Sequence, residues 1–186
     1  MEMSEEITAT PAGVKLIEDF VNTNELDEVD GEKLRDPGAL DDWLCERDLL
    51  PAGTRVTGDD LRSAQAVREA LRSLLLANNG APVDPGAVST LNAAAERSHL
   101  RVSFSPDGRA QLVPDDPDVP GALSRILAVA YTAMADESWE RLKACRLDDC
   151  QWAFYDHSKN RSRTWCSMKV CGNRAKARAY RERQRA

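Results

Sequence analysis

The stretch CRLDDCQWAFYDHSKNRSRTWCSMKVCGNR, residues 145–174, contains four of the five cysteines of this 186-residue chain. Cys145 and Cys150 form one C-x4-C pair, Cys166 and Cys171 form a second, and fifteen residues separate the two pairs. Each pair can supply two corners of a tetrahedron, and the intervening chain can fold back to bring the pairs together. The spacing therefore predicts a four-thiolate site that holds one structural zinc ion (Zn2+) per chain.

Other uses of these cysteines stay open at this point. The thiols could be buried as small apolar groups, or the pairs could have a redox function. His157 lies between the pairs, and we expect it to face solvent or form a hydrogen bond in preference to binding the metal. Cys45 lies beside Trp43 and Leu44, far from the other cysteines, and is expected to be a core thiol.

Charge is distributed unevenly along the chain. The whole sequence has 25 Lys and Arg against 31 Asp and Glu, a net charge of −6. Residues 1–140 hold 12 basic and 27 acidic residues, whereas residues 141–186 hold 13 and 4, which gives balances of −15 and +9. Such asymmetry is typical of a nucleic-acid-binding segment attached to a body with a different role.

The basic residues of the C-terminal segment indicate duplex DNA as a partner. Arginine pairs in a two-pronged manner with phosphate and with the guanine edge in the major groove. If the tail is helical, four arginines fall within about 60° of arc and form one stripe. A merely solvated or disordered tail is the alternative. The candidate contacts are Lys159, Arg161, Arg163, Asn173, Arg174, Lys176, Arg178, Arg181 and Arg185.

The rest of the chain shows helical spacing of apolar residues, interrupted by turn residues. The pattern predicts helices over 15–23, 36–50, 58–77 and 84–98, although the end of the first is also compatible with a strand. Residues 100–104 and 109–113 flank a Ser-Pro-Asp-Gly turn and predict a β-hairpin. Residues 121–135 and 137–145 are interpreted as one interrupted helix or two.

These elements predict a mainly α (α+β) protein. Residues 1–140 would form a helical N-terminal domain with one β-hairpin, and residues 141–186 a small treble-clef-like or knuckle zinc finger that ends in a basic helix. The most apolar later stretch, residues 126–131, is too short to span a bilayer, and the N-terminus is acidic and lacks an apolar region. We therefore expect a cytoplasmic protein without membrane contact.

The same residues carry a resemblance to a known family. The stretch WAFYDHSKNRSRTWCSMKVCGNRAKARAYRER resembles the CGNR zinc finger, named for the tetrapeptide at residues 171–174. DFVNT at 19–23, LDDWLCERDLL at 40–50 and the helix near 67–77 resemble the ABATE-type domain of stress-induced bacterial transcription regulators. The resemblance implies zinc ligation by the four cysteines, DNA binding by the finger and a sensing N-terminal domain. One departure is His157, at a position where the family often has threonine.

Several residues beside the cysteines have expected structural tasks. Gly172 would permit a tight knuckle with a positive φ, and Asn173 would cap or hydrogen-bond the turn. Arg174 would begin the arginine stripe. Asp156 is expected to form an internal salt bridge that orients an arginine.

Three classes of function follow from the sequence. The favoured one is a DNA-binding transcription regulator in which the N-terminal domain senses a small-molecule effector or mediates homodimerisation. The alternative is a zinc-dependent adaptor that binds RNA or an acidic protein. An enzyme is favoured least and is not expected, because only a polar group at Asp19, Asn22 and Thr23 offers a candidate ligand pocket. A helix-end cap at Asn22 and Thr23 competes with that pocket.

Overall fold

The computed structural model describes residues 10–185. Within them the chain forms six α-helices and two antiparallel hairpins. The helices are α1 (Ala12–Val21), α2 (Pro37–Cys45), α3 (Gly58–Ala77), α4 (Pro85–Glu96), α5 (Val119–Ala135) and α6 (Asn173–Arg183). The strands are β1 (Leu100–Phe104), β2 (Ala110–Pro114), β3 (Leu142–Ala144) and β4 (Ala153–Tyr155). The predicted mainly α fold with a C-terminal cysteine cluster is confirmed.

Short polar side chains fix the start of four helices. Thr57 and Asp60 form a reciprocal capping box at α3, in which each side chain accepts a hydrogen bond from the other residue's backbone N–H. Asp36, Asp84 and Asp118 cap α2, α4 and α5, and each is followed within two residues by a proline. These local signals explain why the sequence predicts the helix starts well.

The main core lies between α1, α3 and α5. Ile17, Phe20, Leu71, Leu75 and Ile126 are all at most 1% exposed and belong to one hydrophobic cluster. The apolar residues of each helix recur at helical spacing, so each helix presents one apolar face to the others. This packing places the C-terminal ends of α1 and α3 next to the cysteine-rich segment.

Two predicted helices differ in the structure. α2 ends at Cys45 and not near residue 50, because Asp48 adopts a φ of +54° and the Leu49 N–H turns back to the Leu44 carbonyl. The predicted helix over 137–145 is wrong. Glu137 has a φ of +62°, and the chain then makes one turn of 3-10 helix at Trp139–Arg141 and enters β3.

The second hairpin, β3–β4, is the element that the sequence does not reveal. Leu142 pairs with Tyr155 and Ala144 with Ala153 across two strands of three residues each. Such short strands are too brief for alternation of apolar and polar residues to be recognised. The sequence therefore predicts one hairpin where the described residues contain two.

The β3–β4 hairpin belongs to the main core. Leu142, Ala144 and Ala153 are fully buried and pack in the same cluster as Ile17 and Leu71. The predicted division into residues 1–140 and 141–186 thus runs through a continuous core. Among the described residues, no helix is both long and apolar enough to cross a membrane.

Candidate metal centre and nucleic-acid interface

The four predicted cysteine ligands meet in one cluster. The sulfur atoms of Cys145, Cys150, Cys166 and Cys171 all lie within 4.8 Å of one another. The Sγ atoms of Cys150 and Cys166 are 3.6 Å apart, and those of Cys166 and Cys171 are 3.5 Å apart. Zinc–sulfur bonds of about 2.3 Å in a tetrahedron place sulfur atoms about 3.8 Å apart. The cluster therefore has the dimensions of a four-thiolate zinc site.

The first cysteine pair lies in the loop that joins β3 to β4. Cys145 directly follows β3, and its N–H donates to the Trp152 carbonyl at 2.9 Å. Within the loop the N–H groups of Cys150 and Gln151 both donate to the Leu147 carbonyl. Gln151 takes a φ of +47°, which turns the chain back into β4. The hairpin thus presents both sulfur atoms from one tight loop.

The second cysteine pair lies at the amino-terminal end of the last helix. The Ser167 hydroxyl accepts a hydrogen bond from the Val170 N–H, and residues Met168–Gly172 form a π-helical turn that leads directly into α6. The Asn173 side chain donates to the Lys169 carbonyl at 3.0 Å, as the sequence predicts. Cys171 is therefore held by the same turn that begins α6.

Gly172 serves the turn in a way that differs from the prediction. Its φ is −63°, so the expected positive φ is wrong. A Cβ atom at this position would lie 2.5 Å from the Met168 sulfur and 3.2 Å from Trp165 Cδ1. The glycine lets the Met168 and Trp165 side chains pack closely against the turn, and it does not serve an unusual backbone conformation.

The pKa values of the Cys145, Cys150 and Cys166 thiols depend on one another. The hydrogen bond from Cys150, together with one from Cys166, lowers the pKa of the Cys145 thiol to about 2. The bond to Cys145 raises the pKa of Cys150 to about 12 and also raises that of Cys166. These three thiols do not all ionise by themselves, whereas a divalent cation stabilises neighbouring thiolates together. Their donor set of soft sulfur ligands in a tetrahedron suits zinc.

A small apolar shell surrounds the cysteines. Leu147 and Phe154 are buried against them, and Trp152, Trp165 and Ala175 pack around the cluster in part. Cys145, Cys150 and Cys171 are nearly inaccessible, at 0%, 4% and 2% exposure. This shell limits the access of water to the metal ligands.

Comparison with known protein families matches both parts of the chain. Residues 15–137 match ABATE, described as "Putative stress-induced transcription regulator". Residues 141–184 match the CGNR zinc finger. The chain belongs to the ABATE family. A search of curated proteins finds no match. The family match and the sulfur geometry together establish zinc as the cofactor of this ABATE protein's cysteine cluster.

Polar side chains of the ABATE domain form hydrogen bonds with backbone carbonyls of the zinc finger. Asn79 donates to the carbonyls of Ala144 and Thr164, both at 2.8 Å. Arg72, which is 2% exposed, donates to the Gln151 carbonyl at 2.9 Å and to the Val21 carbonyl at 2.7 Å. These bonds connect the C-terminal part of α3 and the turn after it to the backbone near each cysteine pair.

Two further asparagines add to this contact. Asn78 donates to the carbonyls of Trp139 and Leu142 at 2.8 and 2.9 Å. Asn22 pairs with both backbone groups of Ala153 on β4. Nothing in the sequence near Asn78 and Asn79 shows which carbonyls they reach, because their partners lie more than 60 residues away along the chain.

The predicted ligand pocket at Asp19, Asn22 and Thr23 becomes an internal contact in the structure. Asn22 and Thr23 are 6% and 1% exposed, and the Thr23 hydroxyl donates to the Phe20 carbonyl at 2.7 Å. Asp19 forms an ion pair with Lys15 at 2.5 Å on the outer side of α1. The polar atoms of Asn22 and Thr23 have protein partners, so these two residues cap α1 and bind β4 and do not line the predicted ligand pocket.

Asp156 forms the central ion pair of the finger. It is fully buried, and its Oδ2 accepts from Lys143 at 2.8 Å and from the Arg163 N–H at 2.9 Å. Burial raises the pKa of this carboxyl, but the hydrogen bonds from Lys143 and Ser158 and from the backbone outweigh burial and lower the pKa to about 2. The expected internal salt bridge is present, with a lysine in place of the expected arginine.

His157 and Cys45 are not among the metal ligands. His157 is exposed and its ring lies edge-on to Tyr155, with centroids 4.9 Å apart. The Cys45 thiol is half-buried and donates to the Asp41 carboxylate at 3.3 Å. Cys45 packs against the main core, as the sequence predicts.

Four of the predicted DNA-contacting arginines have partners within the protein. Arg174 forms ion pairs with Asp149 at 2.6 Å and Asp27 at 3.8 Å, and Arg178 lies 3.6 Å from Asp149. Arg161 pairs with Glu140 and Glu137. Arg163 lies over the Phe154 ring at 4.9 Å and donates to the carbonyls of Trp165 and Cys166.

The remaining predicted cations extend into solvent. Lys159, Lys176, Arg181 and Arg185 are exposed, and within residues 10–185 none of them forms an ion pair with a carboxylate. Lys169 and Arg183, which are not among the predicted DNA contacts, share both properties. At about 100° per residue, Lys176 and Arg183 lie opposite Arg174 and Arg178 on α6. The helix therefore has one face directed to the loop 145–152 that joins β3 to β4, here called the zinc loop, and a second cationic face that is exposed to solvent.

Proposed function

We propose that this ABATE protein is a transcription regulator that binds duplex DNA through the zinc finger. The observation that carries the proposal is the exposure and the positive charge of α6. Among its described residues the helix buries none, and it carries five basic residues and one acidic residue. A helix without a buried face contributes little to the fold, so those of its cations that form no ion pair among the described residues, Lys176, Arg181 and Arg183, are available to a partner.

Electrostatics favours a polyanion as that partner. The segment 141–186 has a balance of +9. Zinc with four thiolates adds −2, so the loaded finger keeps about +7. Phosphate groups of DNA are recognised by clustered lysine and arginine, and their neutralisation releases counterions. We assign phosphate contacts to Lys159, Lys169, Lys176, Arg181, Arg183 and Arg185.

The zinc contributes to binding by holding the shape of the finger. The ion fixes the β3–β4 loop against the turn that begins α6, so it sets the direction in which the helix leaves the protein. The zinc is structural, and the proposal assigns no catalytic step to the protein. A regulator of this kind acts where the DNA is, which in a bacterial cell is the cytoplasm.

The ABATE domain is proposed to be the sensing part. Asn79 and Arg72 bind backbone carbonyls next to both cysteine pairs, so a ligand that displaces the end of α3 would also move the zinc loops. A cavity of about 440 Å³ between α1, β2 and α5, lined by Val14, Leu112 and Val129, is large enough for a small effector.

Salt-dependent binding to DNA tests the proposal. Fluorescence anisotropy with zinc-loaded protein and a labelled duplex should show an affinity that falls steeply between low and moderate salt. The double variant Lys176→Ala, Arg183→Ala should bind more weakly and show a slope of log K against log salt that is smaller by about 2. Arg35→Ala with Arg55→Ala removes the same charge from the ABATE domain and should leave the slope unchanged.

The same assay distinguishes the alternative partners. Competition with single-stranded RNA and with heparin compares duplex DNA with other polyanions. Preference for RNA would assign the finger to the adaptor class, and binding that is equal at low and high salt would contradict the DNA proposal. Loss of affinity in Arg35→Ala, Arg55→Ala alone would move the interface to the ABATE domain.

A further inference from the structure

The β1 strand of the β1–β2 hairpin exposes apolar side chains that the proposed function does not use. Leu100, Val102 and Phe104 alternate along β1 and are 36%, 61% and 71% exposed. Their partners across the hairpin are Pro114, Leu112 and Ala110, so all six side chains share one face. A two-stranded hairpin is marginal by itself, and a wider sheet stabilises it.

Of the two strands of the hairpin, only β2 has apolar side chains next to the helices. On β2, Leu112 and Ala110 line the cavity that Val14 and Val129 complete. On β1, every residue except Ser103 is exposed, and the described strands pair it with β2 alone. β1 is therefore an open edge strand, a feature that natural proteins usually block or pair.

The backbone hydrogen bonds show which groups lie on that edge. Asp115 N–H donates to the His99 carbonyl, and Ser105 N–H donates to the Arg109 carbonyl. Hydrogen-bonded pairs alternate along an antiparallel ladder, so Arg101 and Ser103 direct their N–H and C=O groups to β2. The N–H and C=O groups of the three apolar residues between and beside them point outward.

The outward N–H and C=O groups allow β1 to pair with β1 of a second copy of the chain. If a two-fold axis passes between two copies of Val102, Val102 faces its own copy and Leu100 faces Phe104 of the other chain. These are the residues whose backbone groups point outward, so the register forms hydrogen-bonded pairs at all three positions. The apolar side chains then meet on one face, and Arg101 faces Ser103 on the other without contact between like charges.

We propose that two copies of the protein associate through β1 and form a continuous four-stranded sheet, in the order β2–β1–β1–β2. An interface that pairs a patch with itself about a two-fold axis closes at two subunits. The occupant of the exposed edge is thus a second copy of this chain. The inference rests on the hairpin alone and is independent of whether the finger binds DNA.

Sedimentation analysis of the full-length, zinc-loaded protein tests the association. The wild-type protein should show a concentration-dependent dimer. Val102→Pro removes an outward N–H without removing a hydrogen bond of the hairpin, and should raise the dimer Kd by about tenfold or more. Val102→Thr keeps the N–H and the β-branched shape and is the matched control that should dimerise.

Opposite charges at position 102 test the register. Val102→Lys and Val102→Glu should each be monomeric, since two like charges would face one another across the axis. An equimolar mixture should form mixed dimers. Because Val102 is an exposed residue, each variant should unfold at the same denaturant concentration as the wild-type protein does when it is diluted to the monomer. Such agreement would show that the variants lose the dimer and keep the fold.

Three results would overturn the inference. A wild-type protein that is monomeric up to its solubility limit has no such interface. A dimer that Val102→Pro leaves unchanged uses another surface. Charge variants that remain monomeric when mixed, while Val102→Thr dimerises, exclude the register centred on Val102.

Discussion

The side chain of Asn22 forms both backbone hydrogen bonds of Ala153. Its Nδ2 donates to the Ala153 carbonyl at 2.9 Å, and its Oδ1 accepts from the Ala153 N–H at 2.8 Å. β4 has β3 on one edge, so the amide at the end of α1 satisfies the other edge as a neighbouring strand would. One residue of the N-terminal DFVNT stretch thus completes the sheet of the zinc finger.

Asn22→Ala should therefore destabilise the protein by about 2–4 kcal/mol, because the buried N–H and C=O of Ala153 lose their partners. The measurement is denaturant unfolding of the zinc-loaded protein. Asn160→Ala, at an exposed position, should change the free energy of unfolding by less than about 0.5 kcal/mol. Equal stability of the two variants would show that water replaces the Asn22 amide.

Removal of one zinc ligand should abolish metal binding. Cys166→Ser and Cys171→Ser should each reduce the zinc content from one ion per chain to near zero, as measured by elemental analysis of the dialysed protein. Cys45→Ser is the control and should retain the ion, since Cys45 lies outside the cluster. Retention of zinc by both ligand variants would contradict the four-thiolate site.

Removal of the zinc by a chelator should also reduce the stability of the main core outside the finger. β3 and β4 contribute buried residues to the main core, so loss of the metal should loosen contacts of α1 and α3. Hydrogen exchange of the apo protein should therefore show reduced protection near Ile17 and Leu75 as well as in residues 145–171. Changes confined to the finger would contradict this coupling.

Asp156 should contribute stability over a defined range of pH. Its folded-state pKa of about 2 lies below the ordinary value of 3.8, so its contribution is complete above about pH 4 and is lost as the pH falls through 2. The pKa difference corresponds to about 2 kcal/mol. Asp156→Asn should lose at least this amount at pH 7, and the loss should be constant between pH 5 and 8. Asp148→Asn, at an exposed carboxylate, should have little effect.

A loss from Asp156→Asn that changed between pH 5 and 8 would assign the effect to another titrating group. Denaturant unfolding at several pH values within that range, with zinc in excess, makes the comparison.

The ion pairs on the inner face of α6 should weaken DNA binding. Asp149 holds Arg174 and Arg178, which would otherwise be available to phosphate. Asp149→Asn should raise the affinity for duplex DNA about twofold to fivefold, because such exposed pairs are worth about 0.2–1 kcal/mol. Asp116→Asn removes the same charge at an exposed site away from α6 and should change affinity less. Equal gains in the two variants would show a general effect of net charge.

Local signals in the sequence predict much of the fold. Asp84 and Pro85 mark the start of α4, and the Thr57–Asp60 capping box marks that of α3, because capping depends on residues within one helical turn. The predicted helix over 137–145 fails because β3 depends on its pairing with β4, whose partner residues lie nine to thirteen positions away along the chain. A strand of three residues has no local pattern that identifies it.

The sequence alone determined the zinc ligands and the excess of positive charge in residues 141–186, since cysteine spacing and charge are properties of the chain itself. Only the tertiary structure decided which cations are free. Arg174 and Arg178 belong to the predicted stripe but meet carboxylates from the zinc loop, whereas Arg183 on the opposite face stays open. Ion pairing depends on distances between segments that lie far apart in sequence, and Asn22 binds β4 for the same reason.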